Sequence, residues 1–196
     1  MAWGKAGSTT LSSGSDTITL SGMTASKFNT IIGHSLWSTY GGIRIVCDDD
    51  TTSKYCELKA INNGSAGNVV NTSNIDFWAD NTKYDSLHIG YFSNIDTEEK
   101  LFIGSIVARG TTASSDLPSM REVVAKYTGS SQVTRLDFDN ENPTLGDILT
   151  DSNFTVLGSE MTPAAAQDAT VTDGAIFYET DTNKEFLLSN NTWTEL

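Results

Sequence analysis

Between Arg121 and Gly158 three segments follow one another, Arg121 to Tyr127, Val133 to Phe138 and Asn153 to Gly158, each with the composition of a β-strand. In the middle segment Val133, Arg135 and Asp137 alternate with Thr134, Leu136 and Phe138. That period of two marks a half-buried strand with Leu136 and Phe138 turned inward. The three segments are expected to form the spine of one sheet.

The rest of the chain repeats the pattern. Lys5 to Leu11 and Asp16 to Leu20 flank a Ser/Gly turn and read as an opening hairpin. In Phe28 to Trp37, the set Phe28, Thr30, Ile32, His34 and Leu36 is expected to face the core, with Asn29, Ile31, Gly33, Ser35 and Trp37 opposite. Ile43 to Cys47 is expected to pair with Tyr55 to Ile61 across the acidic loop Asp48 to Lys54. In that hairpin Cys47 and Cys56 could lie close, but a chain made in a reducing cytoplasm is expected to keep them as thiols. Ile75 to Trp78 and Leu87 to Phe92 follow. Leu101 to Ala108 is so continuously apolar that it reads as buried on both faces. The polar connection Arg109 to Ser119 is long enough to carry function.

About ten short strands and no convincing helical period leave an all-β protein. The expected architecture is a jelly-roll-like antiparallel β-sandwich over residues 1–158. It is followed by a linker over 159–173 and a small three-stranded β-meander over 174–196. Thr162, Pro163 and Ala164 to Ala166 suit a single helical turn within the linker. Three strands of this size bury too little to stand alone. Phe177, Tyr178, Phe186, Leu188 and Trp193 are therefore expected to form an interface.

Charge narrows the partners. The 196 residues hold 25 acidic and 12 basic side chains, a net charge of −13, which argues against a phosphate-rich nucleic-acid partner. No apolar run has the length of a membrane span, and no signal-peptide pattern opens the chain. Asp48 to Asp50 and the alternating Asp137, Asp139 and Glu141 could offer carboxylates to Ca²⁺, yet neither stretch has the spacing and glycine of an EF-hand loop, so no metal site is expected. Only His34 and His88 could act as general bases of the imidazole kind. A Ser35, His88 and Asp arrangement can be drawn, but no G-x-S-x-G turn supports it. Asp137 and Asp139 are the nearest approach to a glycosidase-type carboxylate pair, and a pair on one strand face reads more simply as solvated surface. No enzyme activity and no cofactor are expected. Trp37, Tyr40 and Trp78, near strand ends, are candidates for stacking on sugar rings, against the simpler reading that most such aromatics are core.

Two stretches carry a resemblance. Asp173-Gly-Ala-Ile-Phe-Tyr-Glu-Thr-Asp-Thr-Asn-Lys-Glu-Phe186, with Trp193 beyond it, resembles the short β-module at the ends of structural proteins of tailed bacteriophages and related archaeal viruses. Arg121-Glu-Val-Val-Ala-Lys, Val133-Thr-Arg-Leu-Asp-Phe and Phe154 to Ser159 are similar to a domain of virion-associated proteins of marine phages. The resemblance implies a non-enzymatic protein located on the virion, made in the host cytoplasm and contacting other virion proteins of capsid or tail. Capsid decoration or a head fibre comes first, and the alternative is a tail-tip receptor-binding adhesin for host surface glycans. A sugar-acting enzyme is a third and weaker reading. A module unable to bury its own aromatics suggests a homo-oligomer, a trimer before a pentamer.

Overall fold

The computed structural model describes residues 3–38, 41–61, 67–77, 85–109, 118–144, 146–159, 174–179, 184–189 and 192–196. Among them the chain forms β1 (Trp3–Thr10), β2 (Thr17–Leu20), β3 (Phe28–Ser35), β4 (Ile43–Cys47), β5 (Tyr55–Ile61), β6 (Gly67–Thr72), β7 (Ile75–Asp76), β8 (Ser86–Ser93), β9 (Lys100–Ala108), β10 (Ser119–Tyr127), β11 (Leu136–Asn140), β12 (Asn153–Ser159), β13 (Ile176–Glu179), β14 (Lys184–Ser189) and β15 (Thr192–Glu195). Contacts divide the chain into two compact units, Met1–Met161 and Thr162–Leu196. The helical turn expected at 162–166 lies outside the described residues.

The first unit is a sandwich of an eight-stranded sheet, ordered β1-β12-β3-β8-β9-β10-β5-β6, and a four-stranded sheet, β2-β11-β4-β7. Every pairing is antiparallel. The pairs β1·β12, β2·β11, β3·β8 and β4·β7 are nested, like rungs of one long hairpin, and β12·β3 and β11·β4 close it as it rolls up. This is the jelly roll, with β1-β12-β3-β8 and β2-β11-β4-β7 as its two sheets. β5 and β6 are inserted between β4 and β7, β9 and β10 between β8 and β11, and together they extend one sheet to eight strands.

The core lies between the sheets. Ile18, Ile45, Leu136 and Phe138 come from the small sheet, and Ile31, Phe102, Ile106, Val123, Phe154 and Val156 from the large one. Phe138 and Phe154 stack across the gap with centroids 3.9 Å apart, and Phe77 meets Phe102 edge-on at 5.2 Å. Glycine makes room for these rings: a Cβ on Gly104 would sit 2.5 Å from the Phe77 ring, and one on Gly33 would overlap Phe154. Leu136 and Phe138 point inward as their alternation requires.

Several sequence expectations change at the level of sheet assignment. Arg121 to Tyr127, Val133 to Phe138 and Asn153 to Gly158 do not share a sheet, because β11 lies in the small sheet between β2 and β4 while β10 and β12 lie in the large one, separated by three strands. The opening segments are not a hairpin: β1 pairs with β12 and β2 with β11. β4 and β5 likewise go to different sheets, so Cys47 and Cys56 do not oppose one another and both are free thiols. On β3 the inward set is the reverse of the one expected. Asn29, Ile31 and Ser35 are buried, while Phe28 and Ile32 are exposed, because the polar inward groups find partners: Ser26 for Asn29 and His88 for Ser35.

The second unit is the expected meander, ordered β13-β14-β15. Leu188 opposes Trp193 and Phe186 opposes Glu195, while Ile176 opposes Leu187 and Tyr178 opposes Glu185. Alternation therefore puts Phe186, Leu188 and Trp193 on one face and Tyr178 on the other with Ile176. Leu188 is buried, Phe186 and Trp193 are partly buried, and Tyr178 and Ile176 are exposed. Phe177 pairs with Phe186 by backbone register.

Candidate functional site

Strand alternation gives the large sheet an inner face that forms the core and an outer face free of it. The outer positions of the central strands are Thr30 and Ile32 on β3, Leu87, Ile89 and Tyr91 on β8, Leu101, Ile103 and Val107 on β9, and Val124 on β10. Leu101 is 61% exposed, Ile103 56%, Tyr91 53% and Val124 51%. Tyr91 opposes Ile103, Ile103 opposes Val124, and Val124 opposes Leu58, so one apolar row crosses β8, β9, β10 and β5. A depression of about 470 Å³ beside this row is lined by Trp3, Phe28, Tyr91, Leu101, Ile103 and Val124, among others. A second, of about 350 Å³, lies on the other side among Ile89, Tyr91, Ile103, Glu122 and Val124.

The expectation that Leu101 to Ala108 is buried on both faces is corrected by these exposures. Its inward residues, Phe102, Ile106 and Ala108, are buried, and its outward ones are not. An apolar sequence on both faces of a strand calls for two covers, and the first unit supplies one.

This face is also nearly free of the chain's negative charge. On the eight strands the only acidic residues are Glu57, which is buried, and Glu122, which projects outward. Lys5 is exposed on β1, and Lys126 pairs with Glu99 at 2.9 Å. On the small sheet the pattern is polar. Asp137, expected as solvated surface, is instead 3% exposed, because it accepts from Thr19 Oγ1 at 2.7 Å and the Arg135 guanidinium holds it at 2.9 Å. Burial raises the pKa of Asp139, with Thr17 opposing it, and burial likewise raises that of Glu141, which pairs with Arg44 at 3.4 Å.

The acidic loop is occupied by internal contacts. Asp48 accepts the backbone N–H groups of Thr134 and Arg135, both at 2.9 Å, which ties the loop to the start of β11. Asp49 lies 3.5 Å from Arg135. Asp50 receives Lys54 Nζ at 2.7 Å and Tyr127 Oη at 3.0 Å, and these partners, Lys54 first, hold its pKa well below the usual carboxylate range. Among the described residues no group of three or more His, Cys, Asp or Glu side chains is placed to hold a metal ion.

Ser35 and His88 do come together, with Oγ and Nε2 2.9 Å apart, but they are 0% and 1% exposed and sit between the sheets. Burial drives the His88 pKa down to about 3. Trp37, one of the three candidate sugar-stacking aromatics, is 7% exposed and donates Nε1–H to Ser35 Oγ. It belongs to the core, so it offers no platform to a glycan. Tyr40, Trp78 and most of the 109–119 connection lie outside the described residues. Exposed Trp3 and Phe28 were missed by reasoning from strand ends, although the outward positions of β3, β8 and β9 carried the signal as an excess of apolar residues.

Comparison of the chain with protein-family models, with curated proteins and with solved structures gives no match.

Proposed function

We propose that this chain is a non-enzymatic structural subunit of a virion surface, serving as capsid decoration or a head fibre. The observation that carries the reading is the apolar outer face of the large sheet on a chain of net charge −13. A folded unit that leaves a face of this kind open is made to be covered, and contiguous apolar patches of several hundred Å² mark interaction surfaces. The face has few hydrogen-bonding groups with which to orient a small polar substrate, which favours assembly over catalysis. The resemblance of residues 173–193 to the terminal β-module of phage structural proteins supplies the virion setting. In this reading the protein works without a cofactor, nucleic acid or membrane insertion, and its partners are other virion proteins.

Labelling purified particles with an antibody to the chain, with electron microscopy as readout, tests this directly. Many labelled sites over the head are expected. Unlabelled particles would overturn the virion reading, and a few sites at the tail tip would favour the receptor-binding alternative. In that alternative the exposed Trp3 and Tyr91, rather than Trp37, would stack on the host glycan, and glycan-array binding is the corresponding test.

A further inference from the structure

We propose that the partner covering the outer face of the large sheet is the same face of a second copy of this chain, packed sheet on sheet about a two-fold axis. This rests on the reading of the chain as an assembling subunit and names the first contact it makes.

Charge favours the identical partner. Two copies each carrying −13 repel one another wherever acidic surface meets acidic surface. The outer face is where that penalty is smallest, since Glu122 is the one acidic side chain its strands project, Lys5 offsets it, and Lys126 is balanced by Glu99. A strongly basic partner would find almost nothing here to pair with. An apolar, near-neutral partner is what the face accepts, and a second copy is such a partner.

Area and relief agree. Eight strands about 4.8 Å apart and seven residues long at about 3.3 Å each span roughly 800 Å², which is about what each side of a standard stable interface buries. The row Tyr91, Ile103, Val124 and Leu58 stands between two hollows of about 470 and 350 Å³. Turned over onto its copy, the row of one subunit has a hollow of the other to enter. Stacked sheets sit about 10 Å apart, close enough for side chains from the two faces to interdigitate. A two-fold contact closes on itself, so it forms a discrete pair rather than an open chain of subunits.

The experiment is sedimentation equilibrium of the purified full-length chain at micromolar concentration. The wild type is expected at twice the chain mass of 21.1 kDa. Ile103→Glu combined with Val124→Glu places four carboxylates in the paired face and is expected to weaken association at least about 100-fold, giving a monomer. Both side chains are more than half exposed, so far-UV circular dichroism and the unfolding midpoint should stay near wild type and separate lost association from lost folding. Thr51→Glu, an added charge in the exposed loop beyond β4, should remain dimeric.

A monomeric wild type would overturn the proposal, as would a dimer that persists in the Ile103→Glu/Val124→Glu variant. An oligomer abolished by Phe186→Ala with Trp193→Ala and untouched by the face variant would also overturn it, and would give the contact to the C-terminal unit. All these outcomes concern isolated protein. They leave the virion reading to the particle-labelling experiment, so the two can fail separately.

Discussion

Ser35 Oγ and His88 Nε2 lie 2.9 Å apart in the sealed interior of the sandwich, with Trp37 Nε1 donating to the same Ser35 oxygen at 3.2 Å. Burial keeps the imidazole neutral near pH 7, and the His88 tautomer sets which of Ser35 and His88 donates to the other. The rings of Phe77 and Phe154 flank His88 at 5.2 and 5.4 Å, so a charged imidazolium would have little to solvate it. The arrangement looks like two members of a catalytic triad, yet it is a packed polar plug between β3 and β8.

A pH dependence follows from it. The folded-state pKa of His88 is about 3, against 6.5 for a free imidazole, so below pH 6.5 the unfolded chain takes up a proton that the folded protein refuses. The sign is therefore a loss of stability on acidification, complete near pH 3 and absent above 6.5. The slope approaches about 1.4 kcal/mol per pH unit. Urea unfolding at pH 6.5 and 4.5 should show this as a fall of about 2 to 3 kcal/mol that His88→Gln lacks, whatever that variant costs at neutral pH. Parallel pH slopes for the two proteins would refute the assignment.

The acidic loop gives the second prediction. Tyr55 and Tyr127 stack with centroids 4.8 Å apart, and Tyr55 Oη accepts the Cys47 N–H and donates to the Asp50 carbonyl. Asp50 Oδ2 in turn accepts from Tyr127. The loop that leaves β4 of the small sheet is thus fastened to the large sheet by two phenols, from β5 and β10. Tyr55→Phe strands a buried donor and should cost about 1 to 3 kcal/mol, more than Tyr127→Phe, which removes one bond to a partly solvated carboxylate. Because the Asp50 pKa is depressed, its contribution is present above the unfolded value near 4 and is lost as pH falls below it. Asp50→Asn should flatten that part of the acid-unfolding curve, and adding Ca²⁺ to the wild type should leave the melting temperature unchanged.

How far the sequence led depends on which physical quantity it encodes. Period-two alternation reported a strand near Leu136 to Phe138 and the strands of 174–196, because side-chain direction is a local property, although β11 begins at Leu136 and Val133 to Arg135 lie before it. Sheet membership is not local. The connections after Thr10 and Cys47 are each short enough for a hairpin, yet the chain uses both to cross between sheets, and the jelly roll appears only when β1 finds β12 more than a hundred residues later. The face of β3 was misread for a related reason. Ser35 and Asn29 look like solvent residues until His88 and Ser26 are known to meet them. The candidate surface was half legible: Leu101 to Ala108 announced two apolar faces, while the fold showed which of them the chain covers itself.

Glycines inside strands supply a third test. Gly104 faces the core where Phe77 sits, with room for a hydrogen and not for a methyl group, so Gly104→Ala must push the ring or the strand. Overpacking of this kind costs about 1 to 3 kcal/mol, against up to about 1 kcal/mol regained from the stiffer unfolded chain. Gly67→Ala on β6 is the matched control, because no atom lies within 4 Å of the added carbon. Thermal unfolding should rank Gly104→Ala below wild type and Gly67→Ala level with it or above. Equal midpoints for the two variants would remove the steric account of Gly104.

The last prediction concerns the two units. The buried cluster of the first unit runs from Ala6 to Val156, and its first and last strands pair with each other from Trp3 with Ser159 to Thr10 with Asn153. A chain ended at Met161 therefore keeps every strand pairing and every buried side chain of that cluster. Its unfolding free energy should match the corresponding transition of the full chain within about 1 kcal/mol, since nothing in the sandwich core has been removed. The three strands after it bury little, with Ile176 and Tyr178 exposed and Leu188 the one buried apolar side chain among the described residues there. Their amides should exchange with deuterium well before those of β3, β8 and β9, which lie inside the large sheet with a paired strand on each side. A shortened chain that fails to fold, or exchange at 184–189 as slow as at 87–92, would show that the sandwich and the meander are one cooperative structure rather than two.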